Sequence, residues 1–172
     1  MTSDTRVVPT TPGELYGRID ANWFGILLGV TTALVSLVTV SMFAENPFYI
    51  NKDSALFQHA GWWITEGGRL YVDIWDLKPP LIYFVTTLLA LVTFGDMALL
   101  HVVSIALTVV VVIGGVTLVG ALTHRLTDDG VASLVAGVSM FILASLYGFP
   151  VAGIRPKYFA FLCGVAGLLL AV

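Results

Sequence analysis

Three long stretches without a formal charge constrain this chain more than any other feature. Residues 21 to 44, 97 to 123 and 130 to 154 contain no Asp, Glu, Lys or Arg. Each matches or exceeds the ~20 apolar residues that a helix needs to cross the hydrocarbon layer. A soluble domain has no interior able to take three such segments from a chain that is 58% hydrophobic and 11% charged, so lipid is the expected solvent. A fourth apolar run starts at Tyr158 and reaches Val172 without the polar flank or aromatic anchor that closes a span, as a truncated segment would. The expected architecture is all-α and polytopic. About four transmembrane helices, near 23 to 44, 97 to 123, 131 to 149 and 158 onward, would carry an external loop with short interfacial or re-entrant helices.

Residues 1 to 20 are polar, with Arg6, Arg18, Pro9 and Pro12, and the first apolar stretch is full-length. That pattern describes a retained anchor rather than a secretory signal peptide. The domain division is therefore a cytoplasmic tail over 1–22 and a membrane domain over 23–172, continued in a longer protein. A single cysteine, Cys163, excludes an internal disulfide or a cysteine metal cluster. The net charge of -3 offers no basic patch for nucleic acid. With residues 81 to 94 not crossing, the tail and the Arg125 loop share one side, and 45 to 96 shares the other with 151 to 157. The positive-inside rule puts the tail in the cytoplasm and the 45–96 segment outside a cell membrane, although Arg155 and Lys157 pull the other way.

Nine charged residues and three of the four tryptophans fall between Glu45 and Asp96, so function is sought there. Asp53 to Glu66 places Leu56, Phe57, Ala60, Trp63 and Ile64 on one helical face, and Gly67-Gly68 ends the pattern. Trp62 and Trp63 suit a helix lying in the headgroup region. From Arg69 to Lys78 charged and large apolar residues alternate, which predicts a short strand or extended loop, and Pro79-Pro80 forces an extended entry to the next segment. That segment, the apolar run Leu81 to Phe94, is of a length that favours a re-entrant or interfacial placement.

Asp53, Gly67-Gly68, Leu70-Tyr71, Asp73-Ile74-Trp75-Asp76 and Lys78-Pro79-Pro80-Leu81, taken together, resemble the first external loop of the C-type glycosyltransferase fold (GT-C). The nearest likeness is to the aminoarabinose transferases and, more distantly, the protein O-mannosyltransferases. The resemblance implies an enzyme that transfers a hexosyl or pentosyl group from a polyprenyl-phosphate sugar to an acceptor on the external side. It implies that Asp53 is the catalytic carboxylate or a ligand of a divalent metal ion, and that Lys78 meets the donor phosphate. Asp73 and Asp76 would contact sugar hydroxyls or orient Lys78, and Trp75 would offer an apolar face to a sugar or isoprenoid. Arg69 and Tyr71 complete the expected donor-binding set. Partners would be the lipid-linked donor, the bilayer and an acceptor that the sequence does not name.

Three positions depart from the family pattern. Ser54 stands where Glu often follows the acid, His101 replaces an arginine, and the loop Gly153 to Tyr158 lacks a second carboxylate. These departures leave metal dependence open, and a cationic second loop could meet the phosphate by itself. Structural readings stand beside these roles. Asp53 is a good N-cap type, Lys78 can snorkel to headgroups, and Asp73 and Asp76 can pair with Arg69 and Lys78. His59 and His101 read as packed or interfacial histidines. A non-enzymatic accessory protein that kept the loop is the rival function, and a transporter fragment is disfavoured by the charge-free spans.

Overall fold

The computed structural model describes residues 11–146 and 153–172. Six helices run in order: α1 Pro12–Glu45, α2 Lys52–Thr65, α3 Leu81–Val92, α4 Met97–Thr127, α5 Gly130–Leu146 and α6 Pro156–Ala171. Among the described residues there is no strand, only one isolated bridge between Leu70 and Ile74. The chain is an all-α membrane protein. Arg6, the end of the third expected span at 147–149 and the start of the 151–157 loop lie outside the described residues.

The longest helices, α1 with 34 residues and α4 with 31, are apolar enough to cross hydrocarbon, and at 1.5 Å per residue each extends more than about 45 Å. Helix α1 starts well before residue 23, where the sequence expectation begins its first span. Thr11 caps it by accepting from the Glu14 N–H, and Pro12 sits where the missing N–H costs nothing, so part of the expected tail is helical. Helix α3 has only 12 residues, about 18 Å, and cannot cross by itself.

Helix α4 is the hub, packing against α1, α5 and α6 and more lightly against α2 and α3. Close approach comes from small residues, the usual device where lipid is as apolar as leucine. A Cβ on Gly120 or Gly137 would run into Leu27, and one on Gly115 into Phe161. Buried Thr31, Ser104, Thr108 and Ser133 lie inside, while Phe24, Leu34, Leu37 and Val40 of α1 face outward. The hydroxyls of Thr108 and Ser133 donate to carbonyls four residues back, so these polar groups are satisfied locally.

Two ends of the bundle are distinct. At one, Asp129 accepts from the Ala132 N–H and from the Tyr16 hydroxyl, while Asp20 accepts from the Gly130 N–H, tying α1 to the start of α5. At the other, α2 and α3 pack as a pair beside the segment that leads into α6. Phe57, Ala60, Ile82, Tyr83 and Ile154 form one buried cluster there.

Helix α2 buries a face rotated from the one its apolar residues mark. Leu56 and Trp63 are exposed, whereas Ser54, Gln58 and Gly61 are buried with Phe57 and Ala60. The helix has neighbours on two sides, and the second is polar. Ser54 donates to the Ile154 carbonyl, and Gln58 lies 3.5 Å from the His101 ring. His101 is thus a packed residue, while His59 is exposed and stacks on Trp62.

Gly61 sets the α2 to α3 spacing, because its Cβ would collide with the Thr86 backbone. Gly61→Ala is expected to cost about 1–3 kcal/mol through overpacking that backbone cannot relieve. Gly164→Ala, where nothing lies within 4 Å, should cost nothing. Thermal unfolding of the two variants in one detergent checks the contrast.

Candidate functional site

The charged residues of the 45–96 segment converge because three short-range devices fold the chain there. The first is the start of α2. Asn51 is the N-cap, its side chain accepting from the Asp53 N–H at 3.0 Å. This corrects the structural reading of Asp53 as cap. Asn51 satisfies the helix end, and Asp53 in the first turn keeps its carboxylate 61% exposed.

The second device is the turn from Glu66 to Asp76. Gly67 adopts φ +94, and a Cβ on Gly68 would run into the Trp63 ring, so both glycines are needed where they stand. Residues 69–74 form a compact turn and not the strand that alternation predicts, while 75–77 run as irregular loop. The Asp73 N–H donates to the Arg69 carbonyl, while the Asp73 carboxylate accepts from the Arg69 N–H and guanidinium. That guanidinium holds the Asp73 carboxyl below the usual carboxylate range. Local side-chain to backbone bonding has outcompeted strand pairing, for which the described residues offer no partner strand.

The third device fixes Lys78. Tyr71 sits at φ 65, a conformation unusual for a bulky residue, and its hydroxyl donates to the Lys78 carbonyl at 2.6 Å. Lys78 Nζ lies 3.6 Å from Asp53 Oδ1, 3.6 Å from Asp76 Oδ2 and 4.9 Å from the centroid of Phe57. The pair with the exposed Asp53 is worth little by itself, so its geometry is imposed by the surrounding turns.

Asp76 is the anchored partner. It accepts from the Tyr83 hydroxyl at 2.5 Å and from the Leu77 N–H at 2.7 Å. Its carboxyl is held below the ordinary value, first by Tyr83 against the opposing effect of burial, then by Leu77 and Lys78. Burial and the same carboxylate push the Tyr83 hydroxyl up, so it remains a donor. Tyr83 is fully buried, edge-on to Phe57.

Of the residues the sequence singled out, the structure brings together Asp53, Asp76 and Lys78, with Tyr71 bracing the lysine. Arg69 and Asp73 pair with each other and close the turn. Trp75 projects outward, 84% exposed, beside Leu77 at 91%. Sequence reading missed Tyr83 and Phe57, which looked like ordinary apolar helix. The signal that would have found Tyr83 is a hydroxyl-bearing residue in the first turn of a helix that starts just after Asp76.

The second loop also reaches this rim. Gly153 has φ +96, and its Cβ would lie within 2.8 Å of Ser54. Ile154 is fully buried against Phe57 and Tyr83. Arg155, next in sequence, is the N-cap residue of α6.

Residues 67–172 match the family described as DolP-mannose mannosyltransferase. That range includes Lys78 and Asp76, and Asp53 lies just outside it. A dolichol phosphate-mannose mannosyltransferase of Haloferax volcanii is 35% identical over 138 residues, covering 80% of this chain and 30% of that relative's length. No solved structure matches the chain. The chain belongs to the DolP-mannose mannosyltransferase family.

A depressed carboxyl pKa contributes stability that is complete above the ordinary value of 3.8 and is lost as pH falls through the lower folded value. Tyr83→Phe removes the largest cause of the Asp76 shift. The Asp76–Lys78 turn of this variant should open at a higher pH than in the unaltered protein, read as hydrogen-exchange protection of residues 76–83 along an acid titration.

Proposed function

We propose that this member of the family transfers a mannosyl group from a polyprenyl-phosphate donor to a hydroxyl acceptor at the rim formed by α2, α3 and the turn between them. The supporting observation is the placement of the Lys78 ammonium between the carboxylates of Asp53 and Asp76, with Asp53 open to solvent. The family and the Haloferax relative supply the donor class.

The chemistry rests on charge. Asp53, as general base, takes the proton from the acceptor hydroxyl as its oxygen forms a bond to the sugar C1. The bond from C1 to the phosphate oxygen breaks, and the polyprenyl phosphate leaves with the electron pair. Lys78 meets the negative charge that develops on that phosphate. Asp76, held by Tyr83, keeps the ammonium aimed. Trp75, exposed beside the turn, offers its face to the sugar or the isoprenoid.

A divalent metal ion does not fit the acids present as well as the lysine does. Asp53 and Asp76 converge on the Lys78 ammonium. Among the described residues no group of three or more His, Cys, Asp or Glu side chains comes together. No step of the transfer is routed through a metal.

In this arrangement α1, α4, α5 and α6 cross the membrane of a multi-pass protein, and the rim lies on its external side. Arg18 and Arg125 at the other end would then face the cytoplasm.

In the intact protein, Asp53→Asn is expected to lower kcat by about 10²- to 10⁴-fold, the usual span for a general base, with the donor KM little changed. Lys78→Gln should instead raise the donor KM, and Lys78→Arg should restore part of the loss. Transfer at the unaltered rate by folded Asp53→Asn protein would overturn the assignment.

A further inference from the structure

The charges that meet at the rim do not balance. Lys78 Nζ stands 3.6 Å from Asp53 Oδ1 and 3.6 Å from Asp76 Oδ2, so two carboxylates share one ammonium and the trio carries a net charge of -1. A further anion that approaches the ammonium is opposed by the acids already holding it.

The two acids are not equivalent. Asp76 is only 15% exposed, and the Tyr83 hydroxyl and the Leu77 N–H fix its carboxylate. The same bonds hold its carboxyl below the usual range, so it stays ionised. Asp53 is 61% exposed, and Asn51 rather than Asp53 caps the helix. On the lysine side, Tyr71 braces the Lys78 backbone, and the ammonium lies 4.9 Å from the centroid of Phe57. Asp76 is thus the fixed partner of Lys78, and Asp53 is the partner that gives way.

Resting on the glycosyl-transfer reading, we propose that Lys78 passes from Asp53 to the departing phosphate in step with the proton that Asp53 receives, and that its return to ionised Asp53 expels the polyprenyl phosphate. The donor is a phosphodiester with one negative charge. During transfer the acceptor oxygen bonds to C1 and its proton moves to Asp53. The bond from C1 to the phosphate oxygen breaks, and its electron pair stays on the phosphate. Asp53 therefore becomes neutral as the phosphate gains its second charge. The trio then has no net charge, and the ammonium has one carboxylate partner in place of two. Its hold on the phosphate is strongest while the new charge develops, which is where binding accelerates the reaction. Once Asp53 loses the proton to water, the trio again carries excess negative charge. It then repels a phosphate monoester that bears about -1.5 to -2 at neutral pH. The exposure of Asp53 gives that proton a direct path to solvent. Asp53 thereby serves product release as well as proton abstraction.

The test is equilibrium binding and dissociation of a radiolabelled short-chain isoprenyl phosphate, measured on the intact protein in nanodiscs without acceptor. Asp53→Asn copies the protonated acid in charge and shape. It should hold the phosphate about two- to fivefold more tightly, chiefly through slower dissociation, as expected when an exposed ion pair stops competing. An isoprenyl methyl phosphate, singly charged like the donor, should gain less than about twofold, since it carries half the charge. Its retained affinity also checks that the variant is folded. Lys78→Gln should weaken binding of the phosphate, and adding Asp53→Asn to it should leave little of the gain, because the gain acts through the ammonium. Equal affinity of Asp53→Asn and unaltered protein, or the full gain persisting without Lys78, would overturn the exchange. Lys78→Gln protein that binds as tightly as the unaltered protein would refute both the exchange and the placement of the phosphate at Lys78. A missing gain, with binding dependent on Lys78 and transfer dependent on Asp53, would refute the exchange alone.

Discussion

Hydrocarbon offers no hydrogen bonds to the backbone, and the rest of this structure depends on that. Each long apolar segment must satisfy its own N–H and C=O groups, which makes it a helix. Each charge must leave the span for an end. The sorting produces two polar rims, one where Asp20 and Asp129 tie α1 to α5, the other where α2, α3 and the start of α6 meet. Inside, small residues and hydroxyls replace the large apolar core of a soluble protein. That is why Gly120 and Gly137 rest on Leu27 and why Thr108 bonds back to its own helix.

The rim that carries the candidate site is assembled by contacts that are mostly neutral. Gly61 lets α2 and α3 touch, Ser54 and Gly153 bring in the second loop, and Tyr71 and Tyr83 bond to the Lys78 carbonyl and the Asp76 carboxylate. Only on that scaffold does Lys78 reach both acids. Tyr83 serves two layers at once, its ring filling the cluster with Phe57 and Ile154 while its hydroxyl reaches the polar surface. A fully buried side chain of the fold therefore sets the electrostatics of the site.

The departures that seemed to weaken the family resemblance have a structural account. Ser54, in place of an acid, is buried and bonded to the second loop, a position where an unpaired carboxylate would be costly. His101, in place of an arginine, is packed beside Gln58. The missing acid of the second loop leaves Arg155 at a rim where Lys78 already stands.

Much of this was legible in the sequence because it depends on composition along a line. Charge-free length marked the long helices, the brevity of 81–94 marked a helix too short to span by itself, and the Asp, Gly-Gly and Lys-Pro-Pro pattern marked the loop that carries the charged cluster. The sequence also paired Arg69 with Asp73 and Lys78 with Asp76 among its options, since partners so close along the chain need little help from the fold. What lay hidden depended on distance in space. Asn51 rather than Asp53 caps α2, and that is a matter of backbone angles at one residue. The turn at 69–74 displaced a strand because strand formation requires a partner that only the fold can deny. Ser54 finds the Ile154 carbonyl 100 positions away, a contact that no periodicity encodes. The line of residues decided where the charges must go, because water and lipid separate them whatever the fold. Which charges meet was left to tertiary structure, because that depends on how closely the helices between them can pack.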